Sequence, residues 1–328
     1  MEDIDTTNTI LKDLFGNYEI GTPLQDGALQ VFPLHRRSNA DRNATDPGAQ
    51  CDTTTTTKGS RWKLAEEVLA DGSAALREVD ESGSVGELLF ENRGDVHALL
   101  LDGIELRGCK QNRMVNTTIL AGAGESTPVA VSCVEAGRWN YRTETFAHSG
   151  RMVAASLRNR KAHMVKENLE RRGHAATDQS AVWSEVDALL DDEKCASPTR
   201  ALDDAYEELS KKDPSKKPLV VEGDGAVVAL GGQILGLDLL ADRATFAGFW
   251  KSASRGYALD AAHARTDKPA THAEVETWLS RLLGETELRP IEVPGVGEHY
   301  GLDGPGISGS VLLHEGRLVH AAVFPALG

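Results

Sequence analysis

Residues 74–101 read AALREVDESGSVGELLFENRGDVHALLL, a series of short apolar runs parted by polar turn formers. Ala74 to Val79, Val85 to Glu91 and Val96 to Leu101 alternate or run apolar, with breaks at Glu81-Ser82-Gly83 and Arg93-Gly94-Asp95. Runs of period two between such breaks predict antiparallel strands, here a β-meander. Downstream, Gly108 to Leu120 and Pro128 to Glu135 flank the glycine-bearing loop Ala121 to Thr127 and predict a hairpin. Upstream, Leu64, Val68 and Leu69 give a short helix over 62–70 that Asp71-Gly72 closes. A helix from about Thr7, with Ile10, Leu11 and Leu14 apolar and Gly16 as its stop, precedes a strand over Leu29 to Leu34.

Beyond residue 150 the period lengthens. Val153, Leu157, Met164, Val165 and Leu169 share one side of a helix over 151–172 that ends at Gly173. Asp178 or Thr177 caps a second helix through Val182, Val186 and Leu189, and Ser197-Pro198 starts a third that buries Leu202, Tyr206 and Leu209. Lys211 to Pro218 breaks structure with prolines and repeated charge. Gly231-Gly232 then joins two strands, Ala226 to Leu230 and Gln233 to Leu240. Asp242 caps a helix whose Phe246, Phe249, Trp250 and Tyr257 form a core stripe, and Thr271 with Glu274 makes a capping box for the next. A closing hairpin joins Ile307 to Leu313 with Leu318 to Phe324 through Glu315-Gly316.

Strands, then helices, then both mixed argue an α+β fold: an antiparallel, sandwich-like N-terminal part, a helical middle, and C-terminal hairpins with two amphipathic helices. The expected divisions are 1–36, helix and strand; 37–60, a mobile Thr-rich loop holding Cys51; 61–150, the antiparallel part; 151–212, helical; and 213–328, the C-terminal α+β part. Together they make one unit or two closely packed subdomains.

The 35 Lys and Arg against 50 Asp and Glu leave a net charge of -15. Both halves are acidic, which excludes a general nucleic-acid binder, since tracking phosphates needs excess base. No run reaches the roughly 18 apolar residues of a membrane span. The acidic start lacks the marks of a signal peptide, so a cytoplasmic protein is expected. Cys51, Cys109, Cys133 and Cys195 form no CxxC pair and are expected as reduced thiols.

The densest polar cluster on a predicted sheet is Gln111-Asn112-Arg113, Asn116, Ser132-Cys133, Glu135 and Arg138-Trp139. If Leu120 pairs with Pro128, Arg113 lies opposite Glu135 and Val115 opposite Cys133, with Arg113, Cys133 and Glu135 on one face and Asn112, Asn116 and Ser132 on the other. A structural ion pair needs no function; in a pocket, Glu135 could act as a base or bind a ribose hydroxyl. Cys133, beside an arginine, could act as a nucleophile, although no motif-spaced histidine supports it. The segment 151–172 is locally basic through Arg158, Arg160, Lys161, Lys166 and others, either a solvated face or a phosphate-binding one. His163 and His174, and likewise His314 and His320, lack metal-ligand spacing, so no metal site is expected. Gly301 to Gly309 leads into a strand rather than a helix, unlike a phosphate loop.

The run Leu101-Asp-Gly-Ile-Glu-Leu-Arg-Gly-Cys-Lys-Gln-Asn-Arg113, then Asn116, Val131-Ser-Cys-Val-Glu135 and Gly137-Arg-Trp139, resembles the ADP-ribosylglycohydrolase- and rhodanese-phosphatase-associated protein family. The likeness continues through Gln179, Trp183 and the Ser308-Gly309 hairpin; Cys109 stands where a small apolar residue is expected. The resemblance implies a prokaryotic protein of NAD or ADP-ribose metabolism or of conflict systems, with no established mechanism. It implies no evident cofactor, but an ADP-ribose or NAD-derived ligand. Gln111, Asn112, Arg113, Asn116, Arg138 and Trp139 would then contact a small phosphorylated ligand, with Glu135 and Cys133 as catalytic candidates for a hydrolase or transferase. The alternative is a non-enzymatic scaffold for a protein partner, in which the polar motif is hairpin architecture.

Overall fold

A computed structural model describes residues 11–326 except 13, 38–60, 174, 215–216, 265 and 267. Thr7, Ile10, Cys51, His174 and nearly all of the Thr-rich loop thus lie outside the described residues. The fold is α+β, with extensive antiparallel sheet.

The largest sheet draws on both ends of the chain. Its strands are β1 (Tyr18–Ile20), β2 (Leu24–Asp26), β3 (Leu29–Arg36), β13 (Gly225–Leu230), β14 (Gln233–Leu240), β15 (Glu287–Pro290), β16 (Glu298–Asp303), β17 (Ile307–His314) and β18 (Arg317–Pro325). They run in the order β1-β3-β13-β14-β18-β17-β16-β15, with β2 also on β3, all antiparallel. The two-glycine turn makes the β13–β14 hairpin, with both glycines at positive φ. Within residues 301–309, residues 304–306 turn β16 into β17, as the lead into a strand predicts.

A six-stranded barrel closes in the order β11-β6-β5-β12-β8-β9. It uses β5 (Ala74–Glu78), β6 (Glu87–Asn92), β8 (Ile104–Gly108), β9 (Arg113–Val115), β11 (Ser126–Cys133) and β12 (Phe146–Met152). A third sheet holds β4 (Trp62–Leu64), β7 (His97–Leu100) and β10 (Ile119–Ala121), with β4 parallel to β7.

The expected meander therefore stops after two strands. β5 and β6 pair, but the free edge of β6 is taken by β11, and β7 turns away to pair with β10. The turn is held by Asn92, whose Nδ2 donates to the carbonyls of Val96 (2.8 Å) and Gly122 (2.9 Å). The expected hairpin over 108–135 is likewise broken into β8, β9, β10 and β11. Its true register sets Arg113 opposite Cys133 and Val115 opposite Val131, two residues from the expected pairing.

Six helices, counted among the described residues, cover the sheets: α1 (Ala65–Ala70), α2 (Ala155–Arg172), α3 (Gln179–Asp192), α4 (Leu202–Lys212), α5 (Arg243–Ala261) and α6 (His272–Glu285). The caps at Asp178, Asp242 and Thr271, the last with Glu274 in a capping box, are those read from sequence. α4 begins at Leu202, not at Ser197-Pro198, because Ser197 bonds forward to Ala201 N (2.8 Å) and holds a turn there.

Strand alternation splits the large sheet between two cores. Val227, Ala229, Leu237 and Leu239 face α6 with Leu11 and Phe15, whereas Ala226, Val228 and Leu240 join the barrel and the α5 aromatic stripe. Asp238, between Leu237 and Leu239, is thereby turned toward α2 and α5.

Candidate functional site

The buried face of α2 meets the large sheet at a charged centre. Arg158 and Lys161, one turn apart, point inward and are buried. Arg158 donates to Asp102 Oδ1 (2.6 Å) and, bidentate, to Asp238 Oδ1 (2.7 Å) and Oδ2 (3.0 Å). Its guanidinium also lies over the Phe249 and Phe324 rings, 5.7 and 5.1 Å from their centroids. Lys161 Nζ donates to Asp102 Oδ2 (2.6 Å) and to the Asn116 carbonyl (2.8 Å). His320 reaches Asp238 Oδ1 through Nε2 (3.1 Å) and Thr118 Oγ1 through Nδ1 (2.7 Å).

Burial opposes ionisation of Asp102 and Asp238, but the Arg158 guanidinium, joined at Asp102 by Lys161, outweighs it and holds both carboxyls below their usual range. Burial pulls the Lys161 ammonium below its ordinary value, with Asp102 opposing. Two carboxylates thus balance two cations. Gly103 makes the approach possible: its φ is 77°, and a Cβ there would lie 2.8 Å from the Arg158 side chain. Asp102, Asp238 and His320 also have ligand atoms within 4.8 Å of one another. Their lone pairs already accept from Arg158, Lys161 and Tyr257, so the positive charge a metal would bring is supplied by side chains.

Above this centre opens a cleft of about 240 Å³ between α2 and strands β16 to β18. Ala162, Val165, Leu169, Leu302, Ala322 and Phe324 give it apolar walls. Asp102, Asn116 and Lys161 lie along one part of it and Lys166, Arg289 and Asp303 along another. Lys166 pairs with Asp303 at 3.2 Å, and Arg289 pairs with the same carboxylate. An apolar chamber with a few convergent polar groups is the usual composition of a small-molecule site.

The residues singled out by sequence lie mostly elsewhere. Glu135 is fully buried and accepts from Arg138 Nε (3.0 Å) and Nη2 (2.7 Å) and from the Asn112 amide (3.0 Å). Burial opposes its ionisation, but the Arg138 bonds prevail and lower its pKa. Arg113 is not the partner of Glu135: it donates to Gln111 Oε1 (2.9 Å) and Cys133 Sγ (2.8 Å) and faces Glu78 at 3.8 Å. Burial pushes the Cys133 thiol up to about 11, leaving it protonated at neutral pH. Trp139 is half exposed and lies beneath both Arg113 and Lys110. Gln179 grips both backbone groups of Cys133 at 2.8 Å and docks α3 on β11.

Of the polar motif around Arg113 and Glu135 only Asn116 lines the cleft, together with Lys161 and Lys166 of the basic segment. Ser132 meets Asn116 (2.7 Å), as expected from their shared face. Asn112 does not join them; it sits beside Arg138, with 3.3 Å between Nη2 and Oδ1.

Arg158 and Lys161 are packed into the protein rather than forming a solvated or phosphate-binding face. Asp238 carried no signal in the motifs, Asp102 stood only within the family-like run, and His320 only as a histidine without metal-ligand spacing. The available signal was a charged residue inside an apolar strand, as in Leu237-Asp-Leu239 and Val319-His-Ala321, because such a residue needs a buried partner.

The fold and cleft define a barrel-and-sheet α+β protein with a ligand-sized chamber where helix meets sheet. Residues 17–324 match the ARPP-1 family, the ARG and Rhodanese-Phosphatase-superfamily-associated Protein domain, and the chain belongs to that family. No curated protein and no solved structure matches it. Among the described residues, no helix is long and apolar enough to cross a membrane.

Proposed function

We propose that this protein binds a phosphate-bearing ligand of the ADP-ribose class in the cleft between α2 and the large sheet. The observation that carries this is the convergence of Lys166 and Arg289 on Asp303 at an apolar-walled chamber of nucleotide-fragment size. Lys166 and Arg289 share Asp303, so a phosphate can take over their donors, while Asp303 or Glu170 accepts from a ribose hydroxyl. Lys161 is held by Asp102 and positions Asn116 through its carbonyl. In this reading Glu135, Cys133, Arg113 and Arg138 support the barrel, and the chain's place beside ADP-ribosylglycohydrolase and rhodanese-phosphatase enzymes is that of a ligand-binding associate. Calorimetry and thermal shift with ADP-ribose, NAD and mononucleotides test it. Binding in the micromolar range is expected; no heat and no shift with any of them would overturn it.

A second reading, docking of a partner enzyme, is favoured by one observation. Trp139 and Tyr141 stand exposed on either side of Lys110, whose ammonium lies 5.4 and 5.1 Å from their rings. If that surface is the partner site, Trp139→Ala/Tyr141→Ala abolishes co-purification with an associated enzyme and leaves ligand binding unchanged.

A further inference from the structure

A second and larger cavity, about 680 Å³, adjoins the cleft and shares Thr117, Pro290 and Ile291 with it. The two differ in charge. In the cleft the cations Lys161, Lys166 and Arg289 are matched by Asp102, Glu170 and Asp303, whereas the larger cavity is lined by Glu87, Glu292 and Glu298 and, among the described residues, by no Lys or Arg to offset them. His299 also lines the larger cavity; it is 6% exposed, and its Nε2 has no hydrogen-bond partner. Burial drops the His299 pKa to about 4, so the ring is neutral and retains an unused polar nitrogen.

We propose that the two cavities form one groove for a zwitterionic, two-headed ligand, with its phosphates in the cleft and a cationic ring in the acidic cavity beside His299. The inference rests on the cleft being the phosphate site and adds the chemistry of the second head. Three carboxylates repel a second phosphate and attract a positive ring, so the groove discriminates oxidised from reduced nicotinamide dinucleotide by ring charge. Adenosine diphosphate occupies the first chamber. The nicotinamide half occupies the second, where its carboxamide supplies the partner that His299 Nε2 lacks.

Calorimetry on the full chain with NAD+, NADH and ADP-ribose at low salt provides the test. NAD+ is expected to bind about tenfold tighter than NADH, equivalent to about 1.4 kcal/mol. Glu87, Glu292 and Glu298 are exposed, so Glu87→Gln/Glu292→Gln/Glu298→Gln should fold normally and bring the two dinucleotides to parity without weakening ADP-ribose. His299→Phe is expected to weaken NAD+ relative to ADP-ribose. Equal affinity for NAD+ and NADH in the unmodified protein, with ADP-ribose still bound, would overturn the charge-discriminating groove and leave the phosphate site standing. Absence of binding by all three would remove the phosphate site itself and this inference with it.

Discussion

The ammonium of Lys161 donates to Asp102 Oδ2 across 2.6 Å, and the opposite oxygen of the same carboxylate accepts from Arg158 at the same distance. Asp102 is therefore the pivot between the cleft and the buried centre. Buried to 4% exposure, its charge is compensated chiefly by those two cations.

Removing that carboxylate strands Lys161 and leaves Arg158 with Asp238 alone. Asp102→Ala is expected to cost about 3–5 kcal/mol in urea denaturation, since uncompensated buried charge is far more costly than a lost pair. Adding Lys161→Met should recover part of the loss. A strictly additive double mutant would show that the two residues do not interact.

Acid should unfold the protein through the same centre. Asp102 and Asp238 have folded pKa values below their unfolded value of about 3.9. The unfolded chain therefore binds their protons first, and the stabilisation is fully present above that unfolded value. It declines as pH falls below about 4 toward the folded values. The variant Asp102→Asn should be less stable at neutral pH and show a shallower loss over that acid range, measured by denaturant midpoints from pH 7 to pH 2.

Ligand contacts at the mouth of the cleft are separable from folding. Lys166→Ala and Arg289→Ala should each weaken ADP-ribose about tenfold in calorimetry, as expected for loss of one charge-assisted hydrogen bond. Arg289 is exposed and Lys166 half-buried, so unfolding free energies should stay within about 0.5 kcal/mol. Unchanged affinity in both would move the ligand elsewhere.

The polar end of the barrel is expected to behave in the opposite way. Glu135→Ala leaves Arg138 buried without its carboxylate and should destabilise by about 3–5 kcal/mol while ADP-ribose affinity holds in the folded fraction. Cys133, buried and protonated, should resist thiol reagents at pH 7.5 until the protein unfolds. Rapid native-state labelling of Cys133 would contradict that assignment.

Local signals determined the elements. Gly231-Gly232, the caps at Asp178, Asp242 and Thr271, and the aromatic stripe of α5 each act through neighbours within a turn or two, so sequence alone placed them and the α+β class. The polar motif around Arg113 and Glu135 was equally visible, being concentrated in 28 consecutive residues, 111–138. Its register was not. Which strand takes the free edge of β6 depends on a pairing between distant segments, and that competition broke the meander and shifted Arg113 onto Cys133. The charged centre shows the same limit more sharply. Asp102, Arg158, Asp238 and His320 span 219 residues, and each alone reads as an ordinary polar residue of a strand, helix or turn. Only closure of the sheet against α2 brings them together, because a buried charge selects its partner through space, and the spacing along the chain carries no trace of that choice.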